Sequence, residues 1–406
     1  MHVGLIAPFS SEDIPWVNDG GERSIPVGYR GAPFVASIAL ELASRGISVT
    51  VFTSDSSLSH GAEVFEESGL RIVFCPARKR AWGFDGWRVG RALDLFAFER
   101  SCLLEEIKRY SPDVLHAHWG YEFALSAISS RVPSVISLHD SPRDVFFHTK
   151  SLYRLFRWAM TLKTMRSNCI YTAPSPYLFE KLGLKEQSCS KVVPNPVGQL
   201  PISLGRIRPA PKSRRVVMVC NGWGGLKNPQ VALRAFKLFR LSFPIAELHL
   251  YGVGFEQDGF GHLWSKRNGL EKGCFFHGPK KNEELISSLD MMDVLLHTSR
   301  EESFGVVIAE AMALGLPVVA GENSGAVPWV MGKGAGGVAG ALVDVESPVS
   351  VANGLEVAFG ESYETFSAFG FDRVRSKFLR SVVVDEYLAL YQFALKKVGD
   401  GFLYSN

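Results

Sequence analysis

The chain has 406 residues, of which 46% are hydrophobic and 21% charged, and its formal net charge is +3. These values predict a globular protein of two or three domains and give no reason to expect nucleic-acid binding. No apolar run approaches the ~18 residues of a membrane-spanning helix, and there is no signal-peptide pattern. The six cysteines are scattered along the chain, so the chain is expected to be cytoplasmic.

In the first half of the chain, apolar strands alternate with helical segments, which is typical of a parallel sheet covered by helices on both faces. A helix is predicted over Pro33–Ser44, because Gly46 fits a helix stop. The predicted strands are Val3–Ala7, Val49–Thr53, Arg71–Cys75, Val114–Ala117, Val135–Leu138, Cys169–Thr172 and Lys191–Val193.

Three histidines lie on or after these strands. His116 and His118 share one face of a strand, but no carboxylate or cysteine cluster accompanies them, so core or turn roles are favoured over a metal site. His139 follows a strand at the edge where open α/β sheets bind ligands, which makes it a functional candidate. Asp140 could orient His139 or bind a ligand, and an N-cap or turn role is equally plausible.

Val145–Phe179 contains five Lys or Arg residues interleaved with aromatic residues, and no Asp or Glu. Such a helix either packs with a solvated basic face or lies on an anionic membrane surface, and both interpretations stay open. Arg78–Arg91, with Trp82, Phe84 and Trp87, is a second stretch of this kind.

A linker is predicted within residues 195–213, because prolines cluster there and cannot supply the hydrogen bonds of a sheet. The expected domains are 1–198 and 199–375, followed by a C-terminal helix, 376–406, and the segment Arg373–Lys397 shows a long helical pattern. The predicted strands of the second domain are Val216–Cys220, Glu247–Tyr251, Cys274–His277, Val294–His297 and Pro317–Ala320.

The second domain opens with a strand, a turn containing Gly222, Gly224 and Gly225, and then Lys227 before a helix that starts with Pro229. A lysine at a helix start adds charge to the helix dipole, so this segment is a candidate phosphate cradle. Gly252 and Gly254 predict a tight turn and lack the third glycine of a dinucleotide fingerprint.

Glu302 and Glu310 stand in the stretch 297–321, HTSREESFGVVIAEAMALGLPVVAG. At 1.5 Å per helical residue they start roughly 12 Å apart, too far for the ~5 Å carboxylate pair of a retaining glycosidase. A predicted helix over Phe304–Leu314 begins between them, and its free N–H groups attract phosphate. A carboxylate, an anion site and a second carboxylate could hold the sugar, the diphosphate and the ribose of one ligand. The arrangement therefore predicts a nucleotide-sugar site.

In this motif the chain resembles the family 4 glycosyltransferases. The positions that fit the family pattern are Glu302, Phe304, Gly305, Glu310, Ala311, Ala313, Gly315, Pro317 and Val318. The resemblance implies an α/β fold of two facing Rossmann-like domains with a cleft between them, and a C-terminal helix that packs back on the first domain. It also implies a retaining, metal-independent enzyme without a cofactor, for which a nucleotide-diphosphate sugar is the co-substrate.

The resemblance also implies roles for single residues of the second domain. Glu302 is expected to contact sugar hydroxyls, Glu310 the ribose diol, and Lys227 the diphosphate. Backbone N–H groups at Phe304, Gly305 and Val306 are expected to face the diphosphate, and the loop at Ser324, Gly325 and Ala326 the donor sugar.

The family cleft histidine corresponds to His139, which is expected to contact the donor sugar or the acceptor and, with Lys227 and Glu302, forms the predicted catalytic set. Relatives carry an arginine where this chain has Asn221. Gly31 matches the second glycine of the family's phosphate loop better than Gly21 does. Arg30 then takes the first position, and we hypothesise that it replaces the missing cation.

The sequence therefore predicts a hexosyltransferase that moves a sugar to a hydroxyl acceptor, in polysaccharide or glycolipid biosynthesis, at the inner face of the membrane if Val145–Phe179 binds lipid. A saccharide or lipid-linked saccharide is the expected acceptor, and no nucleic acid is expected as a partner. Two alternatives stay open: a sugar-nucleotide epimerase or phosphorylase of the same architecture, and a catalytically silent homologue that only binds the nucleotide, which Asn221 favours.

Overall fold

The computed structural model describes residues 1–14, 25–29, 31–86, 88–186, 189–198 and 206–399. These residues form two compact α/β units. The first unit comprises Met1–Pro174, Leu178–Pro196 and the C-terminal segment from Arg380, and the second comprises Ser175–Tyr177 and Val197–Leu379.

The first unit is built on one twisted sheet. Its strands are β1 (His2–Ile6), β2 (Ser48–Asp55), β3 (Glu63–Glu67), β4 (Leu70–Pro76), β7 (Val114–His118), β8 (Ser134–Ser137), β9 (Ile170–Ala173) and β10 (Lys191–Val192), with a separate hairpin of β5 (Phe84–Asp85) and β6 (Arg88–Val89). The spatial order is β10-β9-β8-β7-β1-β2-β4-β3, and the strands pair in parallel except for β3, which is antiparallel to β4.

Helices cover both faces of this sheet, as the alternation of strands and helices predicts. They are α1 (Pro33–Ser44), α2 (Ala97–Tyr110), α3 (Glu122–Ser130), α4 (Pro142–Thr149), α5 (Leu152–Thr164) and α6 (Pro176–Lys181). Two apolar clusters fill the space between sheet and helices, one containing Val35 and Ile38 of α1 and the other Leu103 and Ile107 of α2.

The second unit repeats the architecture with a wholly parallel sheet. Its strands are β11 (Arg215–Val219), β12 (Glu247–Tyr251), β13 (Cys274–Gly278), β14 (Val294–His297), β15 (Val318–Gly321) and β16 (Gly340–Val343). The order is β13-β12-β11-β14-β15-β16. The helices are α7 (Pro229–Ser242), α8 (Phe260–Arg267), α9 (Asn282–Asp290), α10 (Val306–Ala313), α11 (Val327–Met331), α12 (Pro348–Ala358) and α13 (Tyr363–Lys377).

The last helix, α14 (Arg380–Gly399), belongs to the first unit, which confirms the expected return of the C-terminal helix. The buried side chains of Val383, Val384 and Tyr387 join the apolar cluster that contains α1. At the surface, the guanidinium of Arg380 donates to Glu41 at 2.8 Å.

The long helical pattern over Arg373–Lys397 is interrupted in the structure. The chain leaves the helix at Phe378, whose ring is fully buried against Phe304 and Trp329, and whose carbonyl accepts from the amide of Val197 at 2.8 Å. A pattern of apolar residues continues through the break, because both α13 and α14 bury one face in a core.

The strands predicted from the sequence are all present, with ends shifted by one or two residues. The sequence reading missed β3, β5, β6 and β16. β3 (EVFEE) is an acidic, mostly exposed edge strand, and β16 begins with a glycine, so neither carries the apolar run on which the prediction relied. Across the described residues, no helix combines the length and the apolar character needed to span a bilayer.

Candidate active site

Two loops of the second unit meet at the carboxyl edge of its sheet. One follows β11 and the other follows β14, and these strands are neighbours in the sheet. The buried hydroxyl of Thr298 donates to the carbonyls of Lys227 (3.2 Å) and Asn228 (3.0 Å), and the amide of Arg300 donates to the carbonyl of Leu226 (2.8 Å). This bonding fixes the first loop against the second and brings Lys227 next to Glu302.

Glu302 lies in an ion pair with a second donor beside it. Its Oε1 is 2.6 Å from Nζ of Lys227 and 3.2 Å from Nε2 of His297. Burial alone would raise the pKa of Glu302, but the hydrogen bond from His297 and the nearby positive charge of Lys227 outweigh it and lower the pKa to about 2. The carboxylate is therefore ionised throughout the neutral range.

The helix predicted to begin at Phe304 begins two residues later, at Val306. Gly305 precedes it with φ of +89°, a conformation suited to glycine, and an added Cβ would lie 3.1 Å from the side chain of Ile308. The amides of Gly305, Val306 and Val307 donate to no described residue. They form the positive end of α10 and can bind an anion, whereas the buried ring of Phe304 belongs to the core.

Glu310 lies on α10 and is only 8% exposed. Burial raises the pKa of its carboxyl to about 7. No described residue forms a hydrogen bond or an ion pair with it, and burying an unpaired carboxyl is costly for the free protein. Such a group is most simply explained by a ligand that supplies the missing donors.

Asn221 is exposed in the loop after β11, and its Oδ1 accepts from the amide of Val253 at 3.1 Å. This bond joins the β11 loop to the turn after β12. In that turn Gly252 has φ of +116°, and an added Cβ would lie 2.0 Å from the carbonyl oxygen of Cys220. Close packing against Cys220 therefore requires a glycine at position 252. At position 221 the chain has a neutral side-chain amide, where relatives carry the positive charge of an arginine.

Two residues of this region were missed by the sequence reasoning, His297 and Arg300. Arg300 donates to the carbonyl of Gly225 and forms a bidentate ion pair with Glu346, at 2.5 and 2.7 Å. It therefore holds the glycine turn before Lys227. Both residues stand in the same motif as Glu302, and a polar side chain ending an apolar strand was the available signal for His297.

The segment after β15 supports the backbone of Glu302. The amide of Ala326 donates to the carbonyl of Glu302 at 2.9 Å, and Gly325, with φ of +65°, allows the two segments to approach. Ser324 is fully buried and its hydroxyl donates to the carbonyl of Ser299 at 2.6 Å. The hydroxyl of Ser324 is thus committed inside the protein, contrary to its expected exposure to a sugar.

In the first unit, His139 follows β8 and is packed between aromatic rings. Its ring centroid lies 4.8 Å from that of Phe34 and 4.7 Å from that of Trp119, and its Nε2 is 2.9 Å from Nδ1 of His118. Burial lowers the pKa of His139 to about 3, although the neighbouring side chain of Asn195 opposes this. The imidazole is neutral at pH 7, and its Nδ1 has no well-aligned partner among the described residues.

Asp140 does not bond to His139. Both of its oxygens accept from the hydroxyl of Tyr121, at 2.9 and 3.0 Å. Burial raises the pKa of Asp140, and the Tyr121 bond and the charge of Arg157 partly offset this effect. The N-cap role proposed for Asp140 falls to Ser141 instead, which accepts from the amide of Asp144.

Gly31 is exposed just before α1, with φ of +113°, and an added Cβ would meet no atom of the described residues within 4 Å. The role of Gly31 in a ligand loop stays a prediction. Arg30, the other residue of the predicted phosphate loop, and Gly21, the less favoured alternative to Gly31, lie outside the described residues.

His116 is a core residue. Its ring nitrogens lie 2.7 Å from the hydroxyls of Tyr391 and Ser137, and it is fully buried. The His116–His118 pair lacks a third ligand: within the described part of the chain, no three His, Cys, Asp or Glu residues are grouped so that they could hold a metal ion.

Two family models match the chain. Residues 32–198 match the model described as Glycosyltransferase Family 4, and residues 206–362 match the model described as Glycosyl transferases group 1. Together the matches cover most of both units.

Similar proteins have been described as glycosyl-transferring enzymes. The chain is 26% identical over 402 residues to the D-inositol 3-phosphate glycosyltransferase of Corynebacterium jeikeium, a match that covers 87% of each chain. It shares its fold with sucrose-phosphate synthase from Thermosynechococcus elongatus, at a TM-score of 0.70 and 18% identity over 98% of this chain and 99% of that one. The Anabaena protein Alr3699/HepE in complex with UDP and glucose gives a TM-score of 0.64 and 17% identity, over 97% and 100% of the two chains.

Proposed function

Because this chain belongs to the family 4 glycosyltransferases, enzymes of the GT-B fold that use nucleotide sugars, we propose that it transfers a hexose from a nucleoside-diphosphate sugar to a hydroxyl acceptor with retention of anomeric configuration. The observation that carries this proposal is the cluster of Lys227, Glu302, the start of α10 and the unpaired Glu310 at one edge of the second sheet.

Each part of this cluster suits one part of the donor. The free amides before and in the first turn of α10 and the ammonium of Lys227 neutralise the diphosphate. Glu310, once ionised, accepts from the two ribose hydroxyls and so gains the partners that it lacks. Glu302 accepts from hydroxyls of the transferred sugar.

We include retention in the proposal, and the surroundings of Glu302 support a route without a covalent intermediate on this carboxylate. Its Oε1 is already bonded to Lys227 and His297, which makes it a poor nucleophile. In the proposed reaction, the bond between the anomeric carbon and the β-phosphate oxygen breaks on the face where the acceptor oxygen forms its new bond. The acceptor proton passes to the leaving phosphate oxygen, and Lys227 and the amides of α10 stabilise the charge of the diphosphate.

We assign the acceptor to the first unit. In this assignment an acceptor hydroxyl reaches the buried Nδ1 of His139, a neutral imidazole at pH 7, by displacing the neighbouring side chain of Asn195, and the space beside Gly31 admits part of the ligand. Asp140 is bonded to Tyr121, so a contact with the acceptor would use its remaining lone pairs. In this proposal the reaction needs no metal ion, because lysine and helix amides supply the positive charge.

A lipid-linked saccharide acceptor and a setting in polysaccharide or glycolipid synthesis are part of the proposal. Helices α4 and α5 expose Phe147 (56%) and Leu152 (65%) close to Lys150, whose side chain is also exposed. Apolar side chains beside cations suit the headgroup region of an anionic membrane. Arg157 does not contribute, since it pairs with Glu122 at 3.2 Å.

A donor panel tests the proposal. The purified chain is incubated with UDP-glucose, UDP-N-acetylglucosamine, GDP-mannose and ADP-glucose, with and without EDTA, and release of the nucleoside diphosphate is measured with simple glycosides as acceptors. We expect one donor to be consumed without added metal, to give an α-linked product by NMR, and Glu310→Ala to abolish its binding. Binding of a nucleotide without turnover of any donor would instead identify a silent homologue, and interconversion of free sugar nucleotides an epimerase.

A further inference from the structure

His297 is a polar residue where the strand needs none. It ends β14, whose other members, Val294, Leu295 and Leu296, are buried apolar side chains. His297 is itself only 3% exposed, and the one hydrogen bond of its ring to a described residue is the 3.2 Å contact between Nε2 and Oε1 of Glu302. A leucine would fill this position at lower cost, so the bond to Glu302 is the physical reason for a histidine.

The two oxygens of Glu302 differ in their surroundings. Oε1 accepts from both Lys227 and His297, whereas Oε2 accepts from no described residue. A carboxylate with one oxygen fixed by two donors has its orientation set, and its other oxygen remains able to accept. Glu302 therefore presents one defined acceptor atom.

The ammonium of Lys227 cannot bind the carboxylate of Glu302 and a diphosphate equally strongly at the same time. When an anion binds at α10, the ammonium is drawn towards it, because phosphate carries more charge than a single carboxylate. Glu302 would then lose one of its two described partners. His297 has no such second duty and stays on the carboxylate.

We propose that His297 is a positioning residue, which holds Oε1 of Glu302 during donor binding so that Oε2 accepts a hydroxyl of the donor sugar. This inference rests on the proposed function and adds a residue to it. It divides the work: Lys227 serves the diphosphate, and His297 keeps the sugar-binding carboxylate in place after Lys227 has moved.

The test compares two variants. His297→Leu removes the hydrogen-bonding N–H group at similar side-chain volume, and His297→Gln supplies an amide N–H that can replace it. Turnover is measured with the panel donor that the wild type consumes, and binding with the matching nucleoside diphosphate, which lacks the sugar. We expect His297→Leu to lose about 10- to 100-fold in kcat/KM, the range for a hydrogen bond to a charged group, and His297→Gln to recover to within about 5-fold of wild type. Binding of the nucleoside diphosphate should change less than about 3-fold in both variants.

Stability separates positioning from simple packing. His297→Leu should melt at or above the temperature of the wild type, since it removes a buried polar group. The inference is overturned if His297→Leu retains wild-type turnover, or if turnover in both variants simply follows their melting temperatures. A wild type that consumes no donor of the panel would overturn the proposed function and this inference with it, so the two failures are distinguishable.

Discussion

The ammonium of Lys227 and the carboxylate of Glu302 lie 2.6 Å apart, although 75 residues separate them in the chain. In the proposed mechanism both groups have other partners, the diphosphate and the sugar. Donor binding is then an exchange, in which one ion pair is broken before two new contacts form.

Glu302→Gln should strengthen binding of the nucleoside diphosphate and slow turnover of the sugar donor. Without the carboxylate, Lys227 is free for the diphosphate and a repulsive charge is removed, so we expect UDP, or the diphosphate that the panel identifies, to bind about 2- to 10-fold more tightly. Turnover of the sugar donor should fall at least about 100-fold, since the sugar contact is weakened. Calorimetry and initial rates measure both quantities, and a parallel loss of the two would contradict the exchange. Glu356→Gln is the matched control, because Glu356 is an exposed glutamate of the same unit.

Glu310 predicts a pH dependence of nucleotide binding. Its pKa is about 7, and only the ionised form accepts from both ribose hydroxyls. The affinity for a nucleoside should therefore rise by about tenfold from pH 6 to pH 8. Uridine and the other free nucleosides avoid the titration of phosphate, and Glu310→Gln should remove the slope. A slope that survives in this variant would show that another group titrates.

The same pKa has a consequence for stability. The carboxyl of Glu310 binds its proton more tightly in the folded chain, where its pKa is about 7, than in the unfolded chain, where it is 4.5. Its contribution is complete below pH 4.5 and is lost as pH rises through 7, by up to about 3 kcal/mol. We expect Glu310→Gln to gain stability over wild type at pH 8 and to gain little at pH 5, as measured by chemical unfolding at both values.

Thr298→Val should separate loop anchoring from general stability. The change keeps the shape but removes the hydroxyl that holds the carbonyls of Lys227 and Asn228, at a cost of about 1–3 kcal/mol. Binding of the nucleoside diphosphate should weaken about 5- to 20-fold, because Lys227 is less well placed. Thr164→Val is the matched control: this buried hydroxyl donates to the carbonyl of Gly120 in the first unit. It should cost similar stability without changing diphosphate affinity.

Tyr391→Phe tests the contribution of α14 to the first unit. The variant leaves the buried Nδ1 of His116 without its partner and should lower the free energy of unfolding by about 1–3 kcal/mol in urea titrations. Tyr29→Phe, at a residue 38% exposed, should stay within about 0.5 kcal/mol of wild type. Burial also lowers the pKa of His116 to about 3, from 6.5 in the unfolded chain, so the stabilising contribution of the neutral imidazole is lost as pH falls from 6.5 towards 3. If Tyr391→Phe leaves the free energy of unfolding unchanged, α14 is held by its apolar side chains alone.

Membrane contact is tested by vesicle flotation at physiological salt. One set of vesicles contains neutral lipid alone, and the other contains neutral lipid with about 30% anionic lipid. We expect the chain to float only with the anionic vesicles. Lys150→Glu combined with Lys163→Glu should abolish flotation, since both side chains are exposed on this surface. Reversal of two exposed cations in the other unit, Lys237→Glu with Lys272→Glu, serves as the control. Equal loss with both pairs would mean that only net charge matters.

The fold could be predicted from the sequence wherever local pattern and tertiary structure agree. Apolar runs located the central strands of both sheets, because a strand buried on both faces needs such a run. The edge strand β3 escaped, because its exposed face carries glutamates. The break at Phe378 escaped as well, because its cause is a contact with Val197, far away in the sequence.

For the candidate site, the sequence predicted which residues matter near Glu302 but not how they pair. The motif identified Glu302, Glu310 and Lys227, and nothing in the spacing indicates that Lys227 bonds to Glu302. The pairing depends on β11 and β14 being neighbours in the sheet and on the Thr298 bonds, which are tertiary facts. His297 went unnoticed because, read alone, a histidine at a strand end has many structural uses.

The return of α14 to the first unit fixes an order of events during synthesis. The ribosome makes the whole second unit, through Leu379, before it makes the helix whose Val383, Val384 and Tyr387 complete the core of the first. At an elongation rate of about 5–20 residues per second, the first unit waits roughly 10 to 40 seconds with that side of its core open. A chain that ended at Leu379 and had left the ribosome would therefore carry a complete second unit beside a first unit whose core lacks α14.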